Sequence, residues 1–170
     1  ARGRGVVLVT TQLDGKPWGA TVSACCSVSM DPPLLLVSLA KGTATEQALT
    51  RERRFGVSVL DQSLLHVAKF GSEPGRPKFI AHLCENRDEG DLRPPAVAGA
   101  PVHIDCDLHK RVDAGDHVLF LGHVQEVTVI GSERPLLYFG RQFRTLDRGN
   151  WMEVDYSDGA VALLNAGYHW

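Results

Sequence analysis

Between Gly19 and Glu46 the chain reads GATVSACCSVSMDPPLLLVSLAKGTATE, two apolar runs with a segment of small side chains, Ser23-Ala24-Cys25-Cys26-Ser27-Val28-Ser29, between them. Small residues let a flat ligand lie against the backbone, and hydroxyls with free N–H groups suit carbonyls, hydroxyls or phosphate. The turn Lys41-Gly42-Thr43-Ala44-Thr45 then opens a helix, where unpaired N–H groups favour negative charge. A small-residue sheet crossover followed by an ordinary helix cap would read the same way. His117, in Gly115-Asp116-His117, is the sharpest candidate for a reactive or ligand-contacting side chain. A turn-adjacent histidine at a strand start would read the same way. His123, six residues on, projects to the same strand face and raises a metal pair as an alternative. No Cys/His/Asp cluster completes a tetrahedral set at the usual spacing, so a metal site is not expected. Arg76 and Lys78, in Pro74-Gly75-Arg76-Pro77-Lys78-Phe79, are either solvated loop charges or anion contacts.

The bulk properties limit what these residues can serve. The 170 residues are 44% apolar and 22% charged with a formal net charge of −2, values of an ordinary globular domain. That balance leaves no footprint for nucleic acid and no polybasic membrane patch. No signal peptide opens the sequence and no apolar run is long enough to span a membrane. The four cysteines, Cys25, Cys26, Cys84 and Cys106, show no CxxC spacing and suit free thiols in a reducing cytoplasm.

Strands dominate the positioning elements. Val6–Thr11 is a β-branched run, Asp14-Gly15-Lys16-Pro17 a turn, and Trp18–Ser23 resumes extended structure, so the first unit reads as a hairpin. Asp31-Pro32-Pro33 breaks the chain. Leu34–Leu39 is nearly continuous apolar sequence, the pattern of a strand covered on both faces. Thr43 or Thr45 can cap a helix running to about Arg53, with Glu46 in the capping-box position for Thr43. Phe55–Leu60 is another strand, and Asp61 is a natural cap for a helix whose Leu64, Leu65, Ala68 and Phe70 share a face. Gly71–Pro101 reads as a long surface excursion with one short amphipathic piece near Phe79–Leu83. Val102–Leu108 alternates, with Val102, Ile104, Cys106 and Leu108 inward and His103, Asp105, Asp107 and His109 toward solvent. His117–Ile130 is a long strand with a bend at Gly122, Leu136–Phe139 the last strong strand, and a polar tail with aromatics begins at Thr145. Many short strands, hairpin turns and two or three short helices predict a mainly β closed antiparallel barrel, Greek-key-like, rather than a doubly wound sheet. No G-x-G-x-x-G follows a strand, so no Rossmann nucleotide site is expected.

The run TVSACCSVSMDPPLLLVSL resembles the T-V-S-S-F-x-S-V-S-L-D-P-P-L-V-x-V-S-L signature of the short-chain flavin reductases that serve two-component monooxygenases. The likeness continues through Phe55-Gly56-Val57-Ser58-Val59-Leu60, Gly115-Asp116-His117 and Pro135-Leu136-Leu137-Tyr138-Phe139, from roughly Val6 to Phe143. It implies the split-barrel FMN-binding fold: one flavin reductase-like domain over 1–170, a barrel core at 6–143 and a tail at 144–170, usually as a homodimer. It implies that NADH, ahead of NADPH, reduces FMN or FAD by hydride transfer, and that the reduced flavin diffuses to a partner monooxygenase. Carried over residue by residue, Ser23, Ala24, Cys25, Cys26 and Ser27 line the flavin ring, and Ser29 and Met30 continue that wall. Thr43, Ala44, Thr45 and Glu46 sit at the phosphate and ribityl position, where Lys41 or Arg51 must offset the Glu46 charge, and Arg76 reaches the phosphate. His117 lies by the nicotinamide, and Gly140, Arg141, Gln142 and Phe143 stand where the family commonly reads R-G-x-Y beside the pyridine nucleotide. Two departures stand out. Cysteines replace an aromatic or bulky residue at 25 and a hydroxyl residue at 26, and Phe143 keeps a stacking ring but loses the tyrosine hydroxyl. The rival readings are a flavin-binding carrier or sensor, a split-barrel enzyme that holds FMN tightly and acts on its own substrate, and an interaction domain without ligand.

Overall fold

A computed structural model describes residues 3–86, 91–131 and 134–146. Its elements in chain order are β1 (Arg4–Gly5), β2 (Val7–Leu13), β3 (Lys16–Val22), β4 (Cys25–Met30), β5 (Pro33–Ala40), α1 (Ala44–Glu52), β6 (Arg54–Val59), α2 (Leu65–Ser72), β7 (Val102–Ala114), β8 (His117–Val129), β9 (Leu136–Phe139) and β10 (Gln142–Thr145). Two single 3-10 turns, at Gln62–Leu64 and Ala81–Leu83, complete the list. Every ladder is antiparallel. Seven strands form one sheet in the order β3-β2-β6-β7-β8-β5-β4, and β1-β9-β10 form a second. β3 and β4 are the edges of the larger sheet, and no ladder among the described residues joins them. The expected aromatic tail lies outside the described residues.

The first hairpin forms where Asp14 and Gly15 both take positive φ (52° and 72°), the backbone that a two-residue turn matched to strand twist requires. Lys16 and Pro17 belong to β3 rather than to the turn, and Pro17 is tolerated because β3 is an edge strand. β2 is buried on both faces. Val7 and Val9 pack into a cluster with Val37, Phe55, Val57, Val118 and Phe120, while Val6 and Leu8 pack into another with Leu60, Leu64, Val67, Ile80 and Val97. A strand with no wet face has no use for alternation, which is why Val6–Thr11 reads as an unbroken run. α2 supplies the cover for the second cluster. Its Gly71 lies so close to β3 that a Cβ there would strike Thr21 and Leu8, and Thr21 Oγ1 donates to the Ala68 carbonyl at 2.8 Å.

Three expectations are corrected by the packing. β5 is covered on one face only: Leu35, Val37 and Leu39 are buried, whereas Leu34, Leu36 and Ser38 are half-buried. The irregularity expected at Gly122 falls on the neighbouring strand. β7 slips register between Leu108 and Lys110, opposite Leu121 and Gly122, and the Phe55 ring fills the space where a side chain on Gly122 would sit. The third correction is the largest. His103 and Asp105 are buried, not solvated, because the returning loop 93–101 covers their face of β7. The burial is chemically closed: Val97 N–H donates to Ser58 Oγ at 3.2 Å, Ser58 Oγ meets His103 Nδ1 at 2.8 Å, and His103 Nε2 meets Asp105 Oδ1 at 3.0 Å. Thr10 Oγ1 also donates to the Pro95 carbonyl at 2.6 Å. Such a chain keeps polar groups satisfied inside a core and fixes the loop. It is no hydrolase triad, because the serine is fully buried and sits on the ring nitrogen opposite to the one a catalytic serine uses. The long excursion is therefore partly core, with Ile80, Val97 and Ala100 among its buried residues.

Candidate functional site

The α1 start is the best-defined local feature. Gly42 turns the chain after β5 with φ 75°, and Thr43 caps the helix, its hydroxyl oxygen accepting the Glu46 N–H at 3.2 Å. Glu46 completes a variant of the capping box by accepting from Gly42 N–H, one residue further back than the usual partner, at 3.2 Å. Its carboxylate is buried and takes two further donors, Thr50 Oγ1 and Arg111 Nη2, each at 3.2 Å. The expected charge partner is thus corrected. Lys41 faces Asp113, and Arg51 faces Asp14 and Glu52, so Arg111 on β7 offsets Glu46. The backbone N–H groups of Ala44 and Thr45 have no acceptor among the described residues, as the first turn of a helix dictates.

These groups stand on the wall of a cleft of about 640 Å³, within the ~300–1,000 Å³ typical of ligand sites. Ser23, Ala24, Ser38 and Ala40 give it a floor of small residues, Thr43, Ala44 and Thr45 one wall, and Arg76 and Lys78 another. Arg76 is exposed and, among the described residues, pairs with Glu73, and Lys78 Nζ donates to the Glu73 carbonyl at 2.7 Å. His117 reaches the same cleft because the β5–β8 register sets it opposite Ala40, and Lys41 N–H donates to the Asp116 carbonyl at 3.0 Å. Its Nδ1 meets Asp116 Oδ1 at 2.7 Å, and that bond holds the Asp116 carboxyl below its ordinary value. The second ring nitrogen is left for the cleft.

A second cleft of about 380 Å³ adjoins the first, sharing Thr21, Ser23 and Ser72 with it. Arg141, Gln142 and Phe143 line this one, with Tyr138 packed edge-on against Phe143 at 5.4 Å. Gly140 and Arg141, both at positive φ (58° and 62°), make the two-residue turn that presents them. The remaining residues singled out in the sequence lie elsewhere. Cys25 turns into the core, where burial pushes its thiol up to about 12, and Cys106 beside it is pushed up to about 12 for the same reason. Cys26, Ser27 and Met30 are exposed on edge strand β4, with Ser29 half-buried among them. None of these, nor Glu46 or Arg51, lines either cleft. His117 and His123 are six residues apart on one extended strand, about 20 Å, too far to share an ion.

Sequence reasoning missed Arg4 and Trp18 in the first cleft and Ser72 in both. It also missed Arg111, whose only sequence mark is a cation in the polar end of a strand. A smaller hollow of about 220 Å³ lies at His103 and Asp105, but Arg93 there already pairs with Asp91 and Glu126.

Residues 2–147 match the model of the flavin reductase like domain. The chain is 32% identical over 161 residues to the reductase subunit HsaB of a flavin-dependent monooxygenase from Rhodococcus jostii, covering 94% of this chain and 80% of that one. It is 33% identical over 142 residues to an NADH-dependent FAD reductase from Streptomyces globisporus, covering 81% and 77%. Among solved structures, the Streptomyces globisporus NADH:FAD oxidoreductase SgcE6, in complex with NAD and FAD fragments, superposes with a TM-score of 0.77 at 30% identity, covering 88% of each chain. BorF, the flavin reductase component of a bacterial two-component tryptophan halogenase, gives 0.77 at 33% identity, covering 86% and 93%. A mainly β antiparallel fold and a family match across most of the sequence lead to one conclusion: the chain belongs to the flavin reductase like domain family.

Proposed function

We propose that this chain is an NADH-dependent flavin reductase that reduces FMN or FAD and releases reduced flavin to a partner monooxygenase. One observation carries the reading: a single cleft combines a floor of small residues, a helix start with unpartnered N–H groups flanked by Arg76 and Lys78, and His117. The donor set fits a phosphorylated flavin, since the N–H groups of Ala44 and Thr45 want an anion and Ser23–Ala24 lets a flat ring approach the backbone. The flavin and nicotinamide carry the hydride chemistry between themselves. The chain's own residues bind, orient and exclude water. Ala44, Thr45, Arg76 and Lys78 hold the phosphate end, Ser23 and Ala24 the ring, and His117, steadied by Asp116, the carboxamide. Arg141, Gln142 and Phe143 extend the site for the pyridine nucleotide through the adjoining cleft, Phe143 by stacking. Hydride transfer requires no general acid or base at the donor carbon, which accounts for a site built of binding groups.

The finer architecture belongs to the same proposal. The seven-stranded sheet curls into a split barrel, a curvature supported by the approach of edge strand β3 to β5 at the other end of the sheet. The chain acts as one domain and as a homodimer. Edge strand β4, with Val28 and Met30 half-exposed, is the kind of apolar edge that a second copy covers. No helix among the described residues is long and apolar enough to cross a membrane, and Cys25, Cys26 and Cys106 carry no disulfide, which supports a reducing cytoplasm.

The test is NADH oxidation, followed by its near-ultraviolet absorbance, with and without FMN, FAD and riboflavin. Turnover that requires added flavin is the expected result. Absence of turnover with all three flavins overturns the reading, and a yellow protein would then favour the carrier or own-substrate alternatives.

A further inference from the structure

Trp18 stands in β3 with its ring on the wall of the larger cleft, 7% exposed, and Phe79 packs edge-on against it at 5.1 Å. Its indole Nε1–H donates to Thr45 Oγ1 at 2.9 Å, across 27 residues of sequence. Thr45 is 5% exposed and occupies the second position of α1. An indole can only donate, whereas a hydroxyl has one hydrogen and lone pairs to accept with. Trp18 therefore uses the Thr45 oxygen as an acceptor and leaves its hydrogen to be given elsewhere.

A threonine in a helix ordinarily spends that hydrogen on the carbonyl one turn back. Thr50 does so, sharing its one hydrogen between the Glu46 carbonyl at 2.9 Å and the Glu46 carboxylate at 3.2 Å. Thr45 lies too near the helix start to have a helical carbonyl behind it, and its O–H has no acceptor among the described residues. Three donors, the N–H groups of Ala44 and Thr45 and the Thr45 O–H, thus stand unspent at one place on the cleft wall.

We propose that Trp18 is a positioning residue that fixes the Thr45 hydroxyl as a donor to a phosphoryl oxygen at the end of the ribityl chain, so that the Trp18–Thr45 pair selects phosphorylated flavins over riboflavin. The inference rests on the flavin reductase reading and adds the residue that sets flavin preference. Arg76 and Lys78 attract any anion over a distance, but a directed hydroxyl distinguishes a phosphoryl oxygen seated against the helix from one held loosely by charge.

The experiment compares wild type, Trp18→Phe, Thr45→Val, Thr45→Ser and the Trp18→Phe/Thr45→Val pair. Dissociation constants for FMN and riboflavin come from equilibrium dialysis and KM and kcat from NADH oxidation. Trp18→Phe keeps an aromatic ring against Phe79 while removing the indole donor and one ring of bulk, a loss of packing that both flavins feel alike. It is expected to lower the FMN-over-riboflavin preference about five- to tenfold, the size of one lost hydrogen bond, through KM rather than kcat. Thr45→Val should lower the preference at least as much, Thr45→Ser should keep it, and the double variant should be no worse than Thr45→Val because the two residues act through one hydroxyl. Equal weakening of both flavins by Trp18→Phe, or additive losses in the double variant, overturns the inference. If Trp18→Phe does not fold, an unchanged preference in Thr45→Val overturns it alone. These failures are distinct from failure of the reductase reading, which is the absence of flavin-dependent NADH oxidation in the wild type. A wild type that binds no flavin overturns both.

Discussion

Replacing Arg111 by methionine would keep most of its aliphatic packing and strip the cation from the buried Glu46 carboxylate. Glu46 is 7% exposed, and its donors are Gly42 N–H, the Thr50 hydroxyl and the Arg111 guanidinium, all at 3.2 Å. Removing one partner of a fully buried ion pair costs ~3–5 kcal/mol, whereas an exposed pair is worth ~0.2–1 kcal/mol. The pair here lies between these limits. The Arg111 side chain is 34% exposed and also meets Asp113 at 3.1 Å, and two neutral donors stay on the carboxylate. A loss of about 2 kcal/mol follows, or about 4–8 °C in Tm for a chain of this size. Thermal unfolding followed by circular dichroism measures it. Adding Glu46→Gln to Arg111→Met should recover more than half of the loss, since an amide has no charge to strand. Arg111→Met should also weaken FMN binding more than riboflavin binding, because an uncompensated anion then sits one residue from Thr45. A single variant as stable as wild type, or a double variant less stable than Arg111→Met, would refute the assignment of Arg111 as the counter-charge.

Gly56→Ala should destabilise the fold by about 1–3 kcal/mol by overpacking, seen as a lower denaturant midpoint, because its Cβ would meet Thr10 Oγ1 at 2.5 Å and His103 Cε1 at 2.6 Å. Thiol labelling at mildly alkaline pH should modify exposed Cys26 in the native state and leave Cys25 and Cys106, both pushed up to about 12 by burial, unmodified until the chain unfolds. Cys26→Ser should remove the label at position 26 from that early phase, as peptide mass spectrometry of the labelled chain would read it. For Asp116, the folded carboxyl titrates below its unfolded value, so its bond to His117 contributes stability above the ordinary value of about 3.9 and loses it as the pH falls through the depressed one. Urea titrations should accordingly show Asp116→Asn and wild type differing near neutrality and converging in acid.

The fold was legible where local chemistry has few solutions. Asp14-Gly15 can hardly be anything but a tight turn between apolar runs, Thr43 with Glu46 announced the α1 cap, and Asp61 capped the turn that leads into α2. Burial was legible where an apolar side chain sits in a clear pattern, as along β2 and at Cys106 and Leu108 of β7. It failed at His103 and Asp105, because alternation reports polarity, and a polar side chain is buried whenever a distant segment arrives with the right donor. Val97 does so from 39 residues beyond Ser58, a closure that no local pattern contains.

The site divided along the same line. Sequence alone determined the small-residue run, the helix start, His117 and the family they resemble, since each is a contiguous motif with its own backbone requirement. Tertiary structure decided which of those residues share a cleft. It turned Cys25 into the core and left Met30 on an exposed edge, because successive residues of a strand face opposite ways and register chooses the face. It also recruited Arg111 to Glu46 and Trp18 to Thr45 across 65 and 27 residues. Charge and hydrogen-bond complementarity act through space, so partners that far apart in sequence are set only when the sheet brings their strands together.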